Sequence, residues 1–63
     1  MPSYEKYARI RDEKHLTNYR VSKDTGIATA TLSDWKNGVS KPKVDKLKIL
    51  ANYLGVTIED FLE

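Results

Sequence analysis

The stretch Asn18-Tyr19-Arg20-Val21-Ser22-Lys23-Asp24-Thr25-Gly26-Ile27-Ala28-Thr29-Ala30-Thr31-Leu32-Ser33-Asp34-Trp35-Lys36-Asn37 decides how this chain folds. Thr17, just before it, offers a hydroxyl that caps a helix start, and Gly26 tolerates the left-handed backbone that stops a helix. Val21, with the smaller Ser22 and Thr25, marks the inward side of that first short helix. Beyond Gly26, the spacing of Ile27, Leu32 and Trp35 predicts a tight turn and a second helix that bring these three together. Asn37-Gly38 closes the second helix, because both residues tolerate a left-handed cap. The segment thus predicts two short helices crossing at a glycine-bearing turn, with Ser22 small where they approach closest.

Upstream, Tyr4, Tyr7, Ile10 and the stem of Arg11 recur every three or four positions, which predicts a helix over about residues 3–14 with His15 at its C-cap. Downstream, residues 39–43 read as a loop containing Pro42. Val44, Leu47, Leu50, Ala51 and Leu54 then form a helical stripe closed by Gly55. Thr57 caps a last short helix carrying Ile58, Phe61 and Leu62, with Asp60 three residues after the cap, where a carboxylate favours the positive helix end. No strand pattern, repeat, low-complexity tract or linker interrupts this order. The expectation is an all-α single domain of five short helices over residues 1–63.

With 63 residues the chain has room for one core, since a domain this small buries only about 60% of its unfolded surface. It has no Cys, which removes disulfides, thiolate nucleophiles and Cys-based zinc sites, and makes a cytoplasmic address the natural expectation. Hydrophobic residues at 40% and charged residues at 32% suit a soluble globular domain. The longest apolar run, Ile49-Leu50-Ala51, is far short of the roughly 20 residues of a membrane span, and no basic-then-apolar leader opens the chain. Charge is uneven: residues 39–55 carry +3 and residues 1–25 carry +2, while Glu59, Asp60 and Glu63 make the last eight residues −3. A basic body with an acidic end can meet a polyanion with one face.

A pair of crossed helices of this kind places its second helix in the major groove of duplex DNA while the first lies across the backbone. From Tyr7 to Glu63 the chain resembles the phage repressor and Cro helix-turn-helix family, also called the XRE family. The matching stretches are Arg11-Asp12-Glu13-Lys14-His15-Leu16-Thr17, Gly26-Ile27, Thr31-Leu32-Ser33-Asp34-Trp35-Lys36-Asn37-Gly38, Lys41-Pro42 and Leu54-Gly55-Val56-Thr57-Ile58-Glu59-Asp60-Phe61-Leu62. The resemblance implies a lambda-repressor-like fold, duplex DNA as partner, a transcriptional regulator, most plainly a repressor of phage or mobile-element type, and binding as a homodimer. It places Asn18 where the family commonly has a phosphate-contacting Gln, and Asn37 at another phosphate-contacting position. Tyr19, beside Asn18, has a hydroxyl within reach of a phosphate, and Lys41 and Lys43 follow the motif directly. Base reading falls to Ala28, Thr29, Ala30, Ser33 and Asp34 on the outward face of the second motif helix. None of the first three can bridge guanine or adenine, which leaves thymine-methyl contacts and single hydroxyl bonds, with a cytosine amino group open to Asp34.

Two further positions depart from the family: Thr25 stands where it usually buries an aliphatic residue, and Ala28 where it often has a capping Ser, an absence worth about 1 kcal/mol. Trp35, three residues from Leu32, reads as core and not as a stacking platform for a base. His15 has no ligand cluster around it and reads as a cap, so no metal or cofactor is expected. Asp12-Glu13 and Glu59-Asp60 are sequence neighbours that point to different sides of a helix, and no nucleophile triad or phosphate-cradling loop is present, so no catalysis, small-molecule substrate or membrane partner is expected. The tail with Phe61 and Leu62 fits either the core or a dimer contact. The competing reading is a protein-interaction module on the same helical fold, its reading helix retired.

Overall fold

The computed structural model describes residues 2–62; Met1 and Glu63, with one carboxylate of the acidic end, lie outside the described residues. Four α-helices run in order: α1 Tyr4–Glu13, α2 Asn18–Thr25, α3 Thr29–Lys36 and α4 Val44–Leu54. A single 3-10 turn, Ile58–Phe61, takes the place of the expected fifth helix. The Thr57 N–H and hydroxyl both donate to Asp60 Oδ2 and tie up that one turn. Leu62 then leaves it in extended conformation to pair with Pro2 in an isolated antiparallel bridge, so the helix cannot propagate.

Thr17 caps α2 as expected, and Ser3, which the pattern places inside the first helix, caps α1 instead. Ser3 Oγ accepts from the Lys6 amide at 3.3 Å and Thr17 Oγ1 from the Arg20 amide at 3.1 Å. The start of α3 has no side-chain cap, because Ala28 has no oxygen to offer. At the end of α1 the His15 amide donates to the Asp12 carbonyl at 3.0 Å and the Leu16 amide to the Arg11 carbonyl at 3.1 Å. His15 makes this reversal with φ 58°, the left-handed region where glycine usually serves.

One aromatic and aliphatic cluster fills the space between the helices: Tyr7, Val21, Ile27, Leu32, Trp35, Leu47, Leu50, Ala51, Leu54 and Phe61 are all buried. The Trp35 and Phe61 rings meet edge-on with centroids 6.3 Å apart, and the Tyr7 ring, carried by α1, lies 5.1 Å from Trp35 and 6.1 Å from Phe61. Phe61, with no exposed surface, belongs to the core and is closed to a dimer contact. Val44 departs from the expected stripe: as the first residue of α4 it projects past the covered part of the helix and is 63% exposed.

The two ends of the chain are fastened together. The Ser3 amide donates to the Phe61 carbonyl at 2.6 Å, and Lys6 Nζ donates to the Leu62 carbonyl. This draws the final turn onto α1 and lays Phe61 against the aromatic cluster. No helix among the described residues is long and apolar enough to cross a membrane.

Candidate nucleic-acid interface

The orientation of α3 follows from two side chains. Leu32 and Trp35, three positions apart, are in the core, so the opposite side of the helix faces out. That side exposes Thr29, Ala30, Ser33 and Lys36, with Ala28 exposed just before the first turn; Thr31 and Asp34 are half-buried at its margins. With its side chains a helix such as α3 is about 10–12 Å across, and the major groove of duplex DNA, about 12 Å wide, admits it.

The turn that sets α3 against α2 is built from hydroxyls as well as from Gly26. Gly26 takes φ 80° and donates its amide to the Ser22 carbonyl at 2.9 Å, which ends α2. Thr25 Oγ1 donates to the Val21 carbonyl at 2.7 Å and accepts from the Ile27 amide at 3.2 Å, and Ser22 Oγ donates to the Ile27 carbonyl. Both polar groups of Ile27 are thereby satisfied while its side chain is buried. Thr25 is thus not simply a missing aliphatic residue, because its hydroxyl holds the turn shut.

At the start of α2, Tyr19 is 70% exposed and Arg20 is exposed, whereas Asn18 is half-buried in a polar network. Asn18 Oδ1 accepts from the Tyr7 hydroxyl and from Arg11 Nη1, both at 2.8 Å, and Nδ2 donates to the Tyr4 hydroxyl at 2.9 Å. Arg11 Nη1 also donates to Tyr4 at 3.0 Å, and its guanidinium lies 5.8 Å from the centroid of the Tyr7 ring. Burial pushes the Tyr7 phenol up to about 12, so it stays a donor throughout the neutral range. An amide carries two lone-pair sites on oxygen and two N–H groups; three of the four are used here, and one N–H remains. Tyr4, Tyr7 and Arg11 are the positioning residues that sequence reasoning missed. Their signal is there in retrospect, since hydroxyls and a guanidinium occupy the rim of the α1 stripe, but their partner sits on another helix.

The loop after α3 carries the other candidates. Asn37 is exposed at the C-cap, and the Val39 amide donates back to the Asp34 carbonyl at 2.8 Å to close the helix. Pro42 is buried, and on either side of it Lys41 and Lys43 are exposed. Tyr4 connects this loop to the start of α2: its hydroxyl bonds Asn18, its ring meets Trp35 edge-on at 5.5 Å, and it lines one open groove with Lys36, Gly38 and Lys41. On the side of α2 turned to α4, Asp24 Oδ2 accepts from the Tyr53 hydroxyl and from Arg20 Nε at 2.8 Å. These bonds, Tyr53 first, hold the Asp24 carboxyl below its ordinary range. Among the described residues no group of three or more His, Asp or Glu is placed to hold a metal ion.

The chain is 28% identical over 58 residues to the HTH-type transcriptional activator BcrR of Enterococcus faecalis, an alignment covering 92% of the chain. The chain spans about 28% of that protein's length. No solved structure matches it significantly. The helix-turn-helix family model matches residues 8–61, which take in most of α1, the whole of α2, α3 and α4, and the final turn. With α2 and α3 meeting at the Gly26 turn inside a match of that extent, the chain belongs to the helix-turn-helix family.

Proposed function

We propose that residues 1–63 form one domain that binds duplex DNA sequence-specifically and without catalysis, as a cytoplasmic transcriptional regulator acting as a homodimer. One observation carries the reading: Leu32 and Trp35 pin α3 so that its outer side, with Thr29, Ala30 and Ser33, is presented free of the core, with lysines following the helix. Ala28, Thr29, Ala30, Ser33 and Asp34 read bases, while Asn18, Tyr19, Asn37, Lys41 and Lys43 contact phosphates. The remaining N–H of Asn18 is the group a phosphate oxygen takes, held in position by Tyr4, Tyr7 and Arg11. Membership of the helix-turn-helix family supports DNA binding, and the alignment with a transcriptional activator supports regulation of transcription. The finer assignment, a repressor of phage or mobile-element type, rests on the sequence motifs. A relative named as an activator makes direction a separate question, answered by reporter transcription with the bound site at the promoter.

The test is selection of bound sequences from a random duplex library at moderate salt, with the stoichiometry of the complex read from its mass. A palindrome bound by two chains is the expected result. A second reading, a protein-interaction module, is favoured by one observation: the exposed side of α3 up to Ser33 has no Arg, Lys, Asn or Gln. Salt separates the two, because phosphate contacts release counterions and weaken steeply as salt rises, while an apolar protein contact does not. No enrichment together with salt-insensitive binding of a protein partner would replace the DNA reading.

A further inference from the structure

We propose that α3 selects pyrimidines carrying a C5-methyl group, thymine in ordinary DNA and 5-methylcytosine where DNA is modified. The inference rests on the DNA-binding reading above and names what that surface reads. Thr29, Ala30 and Ser33 are exposed on the side of α3 away from Leu32 and Trp35, and Ala28 is exposed just before its first turn. No side chain among them has the paired donors or acceptors that bridge guanine or adenine. Three of the four instead present a methyl group: the Cβ of Ala28, the Cβ of Ala30 and the Cγ2 of Thr29.

The major-groove edge has one apolar feature, the methyl at C5 of thymine, which cytosine lacks. Short side chains also let a helix backbone seat close to the groove floor, which removes water from between the methyl groups of protein and base. Ala28 favours the same approach, since its extended backbone at the helix start has no capping side chain standing between α3 and the groove. Ser33, one turn after Thr29, adds a hydroxyl that bonds any base edge and leaves discrimination to the methyl groups. Each base methyl buried this way is worth about fourfold in affinity.

Four alternating duplexes test the idea with the full chain at one moderate salt concentration: poly(dA-dT), poly(dA-dU), poly(dG-dC) and poly(dG-m5dC). The dT duplex is expected to bind at least about fourfold tighter than the dU duplex, and the methylated cytosine duplex tighter than the unmethylated one in the same sense. Thr29→Ser keeps the hydroxyl and loses the methyl, and Ala28→Gly loses a methyl at a cap position that glycine suits. Each variant should bring the dT to dU ratio towards one and leave the salt dependence unchanged, an effect that a purely structural role would not produce. Equal binding of dT and dU duplexes by the unaltered chain overturns the proposal, and an unchanged ratio in both variants overturns its assignment to these residues. Absent or salt-insensitive binding to all four duplexes removes the DNA reading itself, a result distinct from salt-sensitive binding that ignores the methyl.

Discussion

His15 and Tyr7 show how single residues carry strain and pH dependence in this chain. His15 holds φ 58° at the end of α1, where an L side chain crowds its own backbone, a cost of roughly 1–2 kcal/mol. Glycine relieves that cost but gives the unfolded chain more freedom. His15→Gly is therefore expected to stabilise the fold by about 0.5–1 kcal/mol and to raise the melting midpoint by several degrees, read from thermal melts of both chains. Tyr7 acts at the other end of the pH scale. Its folded-state pKa, about 12, lies above the ordinary phenol value of 10.0, so its contribution is fully present below pH 10 and is lost as pH rises through 12. Urea unfolding at a series of alkaline pH values should show stability falling across that window, and Tyr7→Phe should lose less over the same range. Asn18 marks where sequence reasoning stops. Its position at the start of the motif was legible, but the three bonds that fix it come from α1, and nothing local to Asn18 specifies them.

At the scale of elements, the α2 turn and the α2–α4 seam behave differently under perturbation. Thr25→Val restores the aliphatic character common at that position yet takes the acceptor from the Ile27 amide in a partly buried turn. It is expected to destabilise by about 1–2 kcal/mol, as an unmatched amide does, and urea midpoints check the sign. In the seam, Asp24 is held below its ordinary pKa by Tyr53 and Arg20. A depressed carboxyl stabilises above its unfolded pKa and loses that contribution as pH falls through its folded value. Asp24→Asn should accordingly flatten the acid limb of the stability curve, measured by unfolding as pH falls from about 5 towards about 2. The helices themselves were legible because local signals agree: Thr17 and Gly26 bound α2, Gly55 closes α4, and Leu32 with Trp35 sets the face of α3. The last element was misread as a helix because Thr57 and Asp60 look the same at the head of a long helix or of one turn. What limits it is the pairing of Leu62 with Pro2, sixty positions away. For the same reason the fate of Phe61 was open until its ring was placed against Tyr7 and Trp35.

At the scale of the whole molecule, size bears on how two copies share a site. The longest extent is 23 Å, whereas half-sites one helical turn apart lie about 34 Å from centre to centre. Two copies so placed leave about 11 Å between their backbones, so any contact between them falls to side chains at their edges, and Phe61 is unavailable for it. The fastening of the chain ends has a different consequence, a mechanical one. Pro2 and Leu62 are antiparallel neighbours, so a pull on both ends loads the Lys6–Leu62 and Ser3–Phe61 bonds first and peels the pair open instead of shearing it. Once those bonds part, Phe61 is drawn out of the aromatic cluster and the final turn detaches before α2 and α3 feel the load. Tension on the two ends thus reaches the aromatic core beneath the outward side of α3 by way of two hydrogen bonds.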